Sequence, residues 1–265
     1  MSAPGAVLVT VPVRNEERFI EHCLLRLQGV LSRSPSPSVL SVAEDGSNDR
    51  TKEILLEVQR RMPGLLVSTN ERALGRGLAL RRLWGHVDAE IYAFIDADLA
   101  TGPDALLQVI DAVRKGADVA VGSRYCPGAK VHRPPLRQVV SRFYNLLCRT
   151  VFGGKVMDHQ CGLKAFSRRA IRQLLPESQE DSWFWDTEMI ALAQRQGLQV
   201  VEIPVDWYEY KTRRTSLRRL AKDFWLHGTG LTRLAYRLTT RGESVVVDRR
   251  TRSDAPAVAD SLAPE

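Results

Sequence analysis

The sequence of 265 residues lacks the features of a disulfide framework, a structural zinc site or a membrane-spanning segment. Its four cysteines contain no C-x-x-C pair and are irregularly spaced, at Cys23, Cys126, Cys148 and Cys161. No run approaches the roughly 20 apolar residues that cross a bilayer. The apolar run 6–13 has no preceding positive charge and soon meets Arg14, which predicts a buried strand rather than a signal peptide. We therefore expect a cytoplasmic protein with free thiols, peripheral at most on the cytoplasmic face of a membrane.

The sequence also lacks a broad excess of positive charge, although its formal net charge is +7. Residues 1–210 carry 26 Lys and Arg against 25 Asp and Glu. Residues 211–241 carry 9 against 1, and residues 242–265 carry 3 against 5. A protein that coats nucleic acid needs a broad basic face, so we expect no nucleic-acid partner.

Short apolar runs alternate with amphipathic stretches, which predicts an α/β fold with a largely parallel sheet. The predicted strands are 6–13, 39–43, 65–69, 91–95, 119–121, 160–166 and 199–205. The predicted helices are 17–31, 51–62, 77–84, 103–115, 134–152, 167–175 and 186–195. We expect one domain over residues 1–215, a basic amphipathic helical segment over 216–240 and a disordered tail over 241–265.

Charged and small residues follow five of the predicted strands, at the point where each strand ends. Ligands of open α/β sheets bind beyond the carboxyl ends of the strands. Because parallel strands end at the same edge, we expect these residues to meet there. The segments are Arg14-Asn15-Glu16, Glu44-Asp45-Gly46-Ser47, Asn70 to Gly77, Asp96-Ala97-Asp98 and Gly122-Ser123-Arg124.

Asp96 and Asp98 are the candidate metal ligands, since they follow the apolar run 91–95 directly. Two carboxylates spaced i and i+2 at a strand end can approach one hard cation. Mg²⁺ or Mn²⁺ fills its remaining positions with water and substrate phosphates. The alternative interpretation is a helix-capping acid beside a solvated turn.

The loops after the second and third predicted strands favour contacts with a nucleotide. Helix capping does not explain Glu44 and Asp45, which can accept hydrogen bonds from a nucleobase or a ribose. The loop 70–77 lacks the third glycine of G-x-G-x-x-G, because Leu80 stands there, which argues against a nicotinamide dinucleotide. Arg76 at a predicted helix N-terminus suits a phosphate-binding loop.

Four motifs, in order along the chain, resemble those of family 2 glycosyltransferases over residues 6–210. Pro12-Val13-Arg14-Asn15-Glu16 resembles P-x-Y-N-E, and Glu44 to Thr51 resembles D-D-G-S-x-D-x-T. Asn70 with Gly75-Arg76-Gly77 resembles N-x-G-K-G, and Asp96-Ala97-Asp98 resembles D-x-D. The resemblance implies the GT-A fold, with a Rossmann-like, mostly parallel central sheet flanked by helices. It implies a nucleotide-sugar donor bound by Pro12, Arg14, Asn15, Glu16, Glu44, Asp45, Gly75, Arg76, Asp96, Ala97 and Asp98, and Mg²⁺ or Mn²⁺ held by Asp96 and Asp98.

Motifs in the second half resemble polyprenyl-phosphate glycosyltransferases. They are Gly122 to Tyr125, Asp158 to Phe166, Trp183 to Glu188 and Glu202 to Trp207. They look closer to dolichyl-phosphate glucosyltransferases than to the mannosyl enzymes, whose D-A-D-L-Q ends in a glutamine where Ala100 stands here. The sequence departs from the family pattern at Arg14, Glu44 and Arg76, and it echoes the late R-x-x-G-x-S-K only loosely, between Lys211 and Leu217.

The resemblance implies metal-dependent, inverting transfer of a hexose, with UDP-glucose the favoured donor, to a polyprenyl or dolichyl monophosphate. With a second pKa near 6, such a phosphate is mostly dianionic at neutral pH and needs cationic neutralisation rather than a general base. Its implied ligands are Ser123, Arg124, Lys164 and Ser216. The implied catalytic residues are Asp98, Arg124, Asp158 and Lys164, oriented by Gln160, Asp186 and Glu188.

The basic segment 216–240 interleaves leucine and aromatic residues with arginines, a pattern typical of a helix in the membrane interface. The alternative is a terminal helix that packs on the core with a solvated basic face. Gly228 and Gly230 predict a break in its middle.

Three other functions stay open. One is a GDP-mannose-dependent polyprenyl-phosphate mannosyltransferase. Another is transfer to a hydroxyl of a soluble acceptor, for which Asp186 or Glu188 would be the general base. The third is a non-catalytic nucleotide-binding adaptor, which the replacements at Arg14, Glu44 and Ala100 leave open although both acids of the D-x-D motif are present.

Overall fold

The predicted alternation of strands and helices is confirmed. The computed structural model describes residues 5–208 and 217–240, with the side chains of the last helix described from residue 228. The strands are β1 (Val7–Val13), β2 (Ser38–Glu44), β3 (Leu66–Thr69), β4 (Ile91–Ile95), β5 (Val119–Ser123), β6 (Lys130–His132), β7 (Leu163–Ser167), β8 (Val200–Pro204) and β9 (Asp206–Tyr208). The helices are α1 (Ile20–Leu31), α2 (Thr51–Arg61), α3 (Arg76–His86), α4 (Ala105–Arg114), α5 (Pro135–Phe152), α6 (Arg168–Leu174), α7 (Trp185–Arg195) and α8 (Leu217–Thr240).

Seven strands form one sheet in the order β3-β2-β1-β4-β7-β5-β8. All neighbouring strands pair in parallel except β7, which runs antiparallel to both β4 and β5. The predicted mostly parallel sheet is therefore confirmed. Because β7 runs the other way, the residues that precede it lie at the edge where β1, β2, β4 and β5 end.

A second, two-stranded sheet pairs β6 with β9 in parallel. The sequence pattern missed both strands, because three residues are too few to show an alternation of apolar and polar side chains. This small sheet lies beyond the carboxyl ends of β5 and β8, next to the candidate site.

Helices cover both faces of the main sheet. Side chains of α1, α2 and α4 pack with one set of strand residues, which includes Val7, Val9 and Val11. Side chains of α3, α6 and α7 pack with the other set, which includes Leu8 and Phe94. Both sets are buried because successive strand residues point to opposite faces, and each face has its own helical layer.

Two elements begin three residues later than their periodicity predicts. Helix α1, predicted from residue 17, begins at Ile20, because the backbone before it is bonded to the loop after β2: Glu16 N donates to Thr51 Oγ1 at 2.9 Å. The strand predicted over 160–166 begins at Leu163, because the residues before it turn towards the site.

The predicted break in the last helix is wrong. Helix α8 is continuous through Gly228 and Gly230. Gly230 packs against the ring of Phe184, where a Cβ would lie 2.6 Å from Cγ, so close packing explains this glycine. Leu234 is 1% exposed and packs with Tyr144 and other side chains of α5 and α7. For residues 228–240 the structure thus favours the core-packing alternative.

Some predictions fall outside the described residues. They concern residues 209–216, which include Ser216, and the whole predicted tail 241–265. Within the ranges that the structure describes, no helix is both long enough and apolar enough to cross a membrane.

Candidate active site

The loops after β1, β2 and β3 are tied together by the residues predicted to bind a nucleotide. Asn15, whose φ is +55°, accepts a hydrogen bond from Asn48 N at its Oδ1, at 2.9 Å. Asp45 accepts from Leu74 N at 2.7 Å and from Gly75 N at 3.0 Å. The Asp45 carboxylate thus fixes the loop before α3, a role the sequence did not suggest.

The other donor-side residues differ in accessibility. Glu44 is fully buried, where its carboxylate accepts from Ser47 N and lies 3.7 Å from Lys52 Nζ. Arg14 is exposed, whereas Pro12 and Glu16 are partly buried. The structure brings all of them to the same edge of the sheet, at the ends of β1 and β2.

Arg76 lies at the centre of the site, at the first position of α3. Its guanidinium is 2.9 Å from Asp96 Oδ1 and 3.5 Å from Asp186 Oδ2, and it lies between the rings of Phe94 and Trp183, 4.8 and 4.5 Å from their centroids. Burial alone would lower the pKa of Arg76, but the two carboxylates raise it above its ordinary value. Arg76 is therefore a buried cation that orients Asp96.

Asp96 and Asp98 stand at the end of β4, as predicted, and both are partly exposed. Burial raises the pKa of Asp96 to about 6, although Arg76 acts in the opposite direction. A cation bound there would favour the ionised form. Asp98 accepts a hydrogen bond from Ala100 N at 3.2 Å through Oδ1.

These two carboxylates fit a divalent metal whose remaining ligands come from substrate. Among the residues described, no group of three or more His, Cys, Asp or Glu side chains could hold a metal ion. Two hard oxygen donors beside a phosphate-bearing substrate are a common arrangement for Mg²⁺ and Mn²⁺. The protein therefore supplies part of a coordination sphere, and a bound diphosphate would complete it.

Gly162 is the close neighbour that sets the position of Asp96. Its carbonyl accepts from Asp96 N at 3.0 Å. A Cβ at position 162 would lie 1.9 Å from Asp96 Oδ2. The segment before β7 can approach β4 this closely only without a side chain, which gives the glycine in the motif from Asp158 to Phe166 a physical reason.

Lys164 is fully buried in the central strand β7. Its Nζ donates to the carbonyl of Cys161 at 2.6 Å and lies 3.8 Å from Asp186 Oδ2. The Asp186 carboxylate thus lies within ion-pair distance of two cations, Arg76 and Lys164. Lys164 contributes positive charge from below the site, and its predicted contact with an acceptor phosphate stays a prediction.

Arg124 and Asp158 form a buried bidentate ion pair. Arg124 Nε donates to Asp158 Oδ2 at 2.7 Å and Nη2 donates to Oδ1 at 2.8 Å. Burial alone would raise the pKa of Asp158, but the Arg124 guanidinium lowers it below its ordinary value. The guanidinium also lies over the rings of Trp207 and Tyr125, at 4.8 and 5.4 Å. Asp158 therefore orients Arg124 at the end of β5.

Two predicted site residues take part in local hydrogen bonds. Ser123 is fully buried, and its Oγ accepts from the backbone N–H groups of Tyr125 and Cys126, each at 3.2 Å. Gln160 Oε1 accepts from Ser141 Oγ at 3.4 Å. Both shape the turns around Arg124.

The sequence interpretation missed Arg133, which precedes α5. Burial, together with the neighbouring charges of Arg124 and Arg137, lowers its pKa to about 10. Arg133 thus carries its charge close to those of Arg124 and Arg137, and a bound anion would stabilise it. No short motif marks Arg133, since only the fold brings it beside Arg124.

Glu188, predicted to orient the catalytic residues, instead supports the loop before α7. It is fully buried, accepts from Gln179 N and Glu180 N at 2.9–3.1 Å, and pairs with Arg237 of α8. The same loop contacts the start of α3, where the Asp181 carbonyl accepts from Gly77 N at 2.8 Å. Glu188 thus fixes the loop before α7, against which the start of α3 packs.

Comparisons with known proteins agree with this geometry. The model of glycosyl transferase family 2 matches residues 8–175. Glycosyltransferase AglD of Haloferax volcanii is 37% identical over 89% of this chain and 38% of its own length. Dolichyl-phosphate beta-glucosyltransferase ALG5C of Trichomonas vaginalis is 31% identical over 78% of this chain and 66% of its own length. The chain therefore spans less than two thirds of either relative.

A solved structure has the same fold. Glucosyl-3-phosphoglycerate synthase from Mycobacterium tuberculosis, in complex with Mn²⁺, UDP-glucose and phosphoglyceric acid, superposes with a TM-score of 0.65 at 20% identity, covering 87% of this chain and 80% of its own. The sheet order, the charged residues at the strand ends, the family match and the superposition all agree. The chain belongs to glycosyl transferase family 2 and has the GT-A fold.

Proposed function

We propose that the chain transfers glucose from UDP-glucose to a polyprenyl or dolichyl monophosphate, with inversion at the anomeric carbon, on the cytoplasmic face of a membrane. The observation that carries the proposal is a carboxylate pair, Asp96 and Asp98 at the end of β4, at the same edge of the sheet as Arg124 and Arg133 beyond the end of β5. The first feature suits a metal-bound diphosphate and the second suits a second phosphate. Relatives named as dolichyl-phosphate glucosyltransferases, and a polyprenol monophosphomannose synthase, support a lipid-phosphate acceptor.

At the donor end, Asp96 and Asp98 would hold Mg²⁺ or Mn²⁺ against the diphosphate of the nucleotide sugar. The cation would supply Lewis-acid neutralisation of the charge that develops on the leaving diphosphate. Arg76 orients the Asp96 carboxylate, and Asp45 fixes the loop that leads to Arg76. The chain's own groups thus position the diphosphate end of the donor.

At the acceptor end, the arginines lower the repulsion between two phosphate groups that must approach each other. Asp158 holds the Arg124 guanidinium in one orientation through two hydrogen bonds. Arg133 adds a positive charge that burial and the neighbouring arginines destabilise, and an incoming phosphate would stabilise it. A dianionic phosphate oxygen attacks without a general base, so this half of the site needs cations rather than a free carboxylate.

The positions of the two candidate bases support a phosphate rather than a hydroxyl acceptor. Asp186 lies between the cations Arg76 and Lys164, and Glu188 is enclosed by backbone donors and Arg237. Cations and backbone N–H groups therefore already engage both carboxylates. Neither group is placed to take a proton from a sugar or glycerol hydroxyl.

A donor panel tests the proposal. The protein is incubated with Mg²⁺ or Mn²⁺, polyprenyl phosphate, and UDP-glucose or GDP-mannose in turn, and lipid-linked sugar is measured. We expect product with UDP-glucose, and loss of at least about 100-fold in Asp98→Asn. Asp111→Asn, at an exposed acid of α4, is the matched control and should keep its activity. Product with GDP-mannose alone would replace the donor assignment, and no lipid product with any donor would overturn the proposal.

A further inference from the structure

Helix α5 presents its apolar side chains to solvent. Leu136, Val139, Phe143 and Leu146 are between 49% and 64% exposed. Their spacing of three or four residues places them on one face of the helix. Four large apolar side chains side by side on a surface mark an interaction site rather than scattered exposure.

The opposite face of α5 is buried and largely polar, the reverse of an ordinary surface helix. Its buried residues are Ser141, Tyr144, Asn145 and Cys148. Tyr144 Oη lies 2.8 Å from Thr187 Oγ1, and Asn145 Oδ1 accepts from His159 N at 2.8 Å. The core therefore holds α5 through hydrogen bonds and through the packing of Tyr144 and Cys148, and the four exposed apolar side chains face away from the domain.

The chain segment that contains this face carries charged residues of a single sign. Residues 124–157 contain seven Lys and Arg and no Asp or Glu, whereas the other residues up to 210 carry 19 against 25. A groove of about 520 Å³ runs beside the apolar face, lined in part by Tyr125, Val139, Arg142, Phe143, Leu146 and Arg149. Apolar side chains bordered by arginines match the boundary between lipid headgroups and acyl chains.

We propose that the outer face of α5 is the docking surface of this protein for an anionic lipid bilayer. Phe143 and its apolar neighbours enter the acyl boundary, and Arg142 and Arg149 lie at the level of the lipid phosphates. This assignment places the main apolar contact on α5. The C-terminal half of α8, by contrast, buries its leucines in the domain.

The charges favour a bilayer over the two protein alternatives. In a symmetric dimer through this face, the arginines of one copy would face the same arginines of the other, which is repulsive. The chain segment 211–227 carries six Lys and Arg against one Asp, so it is equally poor as a cover. An anionic surface complements both the charge and the apolar side chains.

The docking surface adjoins the proposed acceptor site. The ring of Tyr125 lines the groove, and the guanidinium groups of Arg142 and Arg124 lie 5.6 and 5.4 Å from its centroid. A bilayer on α5 would therefore present phosphate headgroups next to Arg124. This consequence rests on the proposed function, whereas the docking itself does not.

Vesicle binding tests the surface directly. The full chain is sedimented with vesicles of phosphatidylcholine and phosphatidylglycerol, and with phosphatidylcholine alone. We expect binding to the anionic vesicles that weakens as salt is added. The double variant Phe143→Ser and Leu146→Ser should lose about tenfold in affinity. Its control is Leu25→Ser with Leu56→Ser, two leucines of similar exposure on α1 and α2, which should bind as the parent does.

A second double variant tests the contribution of the arginines. Arg142→Gln with Arg149→Gln should lower binding to anionic vesicles severalfold and reduce its salt dependence. Arg60→Gln with Arg114→Gln, on exposed positions of α2 and α4, should not. Thermal unfolding of all variants shows whether each is folded. Unchanged binding in the folded α5 variants would overturn the proposal, as would a dimer in solution that only the Phe143 variant dissociates.

Activity measurements separate this proposal from the proposed function. With a short-chain, water-soluble polyprenyl phosphate, the Phe143 and Leu146 double variant should turn over as the parent does. With the acceptor embedded in anionic vesicles, it should lose about tenfold. Equal loss on both acceptors would refute a docking role for α5. No transfer by the parent on either acceptor would refute the proposed function and leave vesicle binding as a separate result.

Discussion

Helices α5 and α8 are both basic and amphipathic, yet the fold uses them in opposite ways. In the part of α8 from residue 228 onwards, the leucines pack against the domain, and Arg237 pairs with the buried Glu188. In α5 the apolar side chains face solvent, and polar ones such as Asn145 are buried. A sequence pattern shows that a helix has an apolar stripe, but the neighbours in the fold decide whether that stripe is covered.

The largest expected difference between the two helices concerns their apolar residues. Leu234→Ala should cost about 3 kcal/mol of unfolding free energy, because it leaves a cavity among buried side chains. Phe143→Ala should change stability by less than about 0.5 kcal/mol, since the ring is half exposed. Urea unfolding of both variants measures this. Equal losses would mean that α5 is covered by part of the protein.

Two arginines of α8, Arg237 and Arg233, should contribute unequally to the free energy of unfolding. Arg237→Gln removes the cation from the buried Glu188 carboxylate, whose backbone donors remain, and should cost about 2 kcal/mol. Because Glu188 holds the loop beside Gly77, the KM for the nucleotide sugar should also rise. Arg233→Gln is the matched control: its side chain is 68% exposed, so its pair with Glu180 contributes at most about 1 kcal/mol. A larger loss from Arg233 would contradict this division.

The two glycines of α8 should respond with opposite signs. Gly230→Ala places a methyl group against the Phe184 ring and should destabilise the protein by about 1–2 kcal/mol. At Gly228 nothing lies within 4 Å of the added methyl group, so alanine should stabilise the helix by about 0.5–1 kcal/mol. Thermal unfolding distinguishes them, and a destabilising Gly228→Ala would show that the helix is not continuous in solution.

The smallest effect is a pH dependence from the polar side of α5. His159 Nδ1 lies 3.1 Å from Asn145 Oδ1, and burial lowers the pKa of His159 to about 4. The unfolded chain, with an ordinary histidine pKa near 6.5, binds the proton more readily, so stability falls as pH falls below about 6.5. Between pH 7 and 5.5 the loss should be about 1 kcal/mol.

Variants at two histidines test this assignment. His159→Asn should flatten the stability profile over this range, whereas His22→Gln, at an exposed position of α1, should leave it unchanged. A profile that keeps its slope without His159 would place the titrating group elsewhere.

Much of the site could be predicted because strand ends in a parallel sheet converge. Asp45, Asp96 and Arg124 each follow a strand whose carboxyl end lies at one edge, so their meeting needed only the correct strands. Their partners could not be predicted in the same way. That Asp158 binds Arg124, or that Arg237 reaches Glu188, depends on packing between segments far apart in sequence.

By itself, the sequence determined the alternation of strands and helices, the edge where the candidate site lies and the family of the chain. These follow from local periodicity and from residues at fixed offsets after each strand. Only the tertiary structure decided that β7 enters antiparallel, that Gly162 lies against Asp96 and that α8 packs while α5 stays open. Each of these depends on which surfaces meet, and an amphipathic pattern specifies an apolar face without specifying its partner.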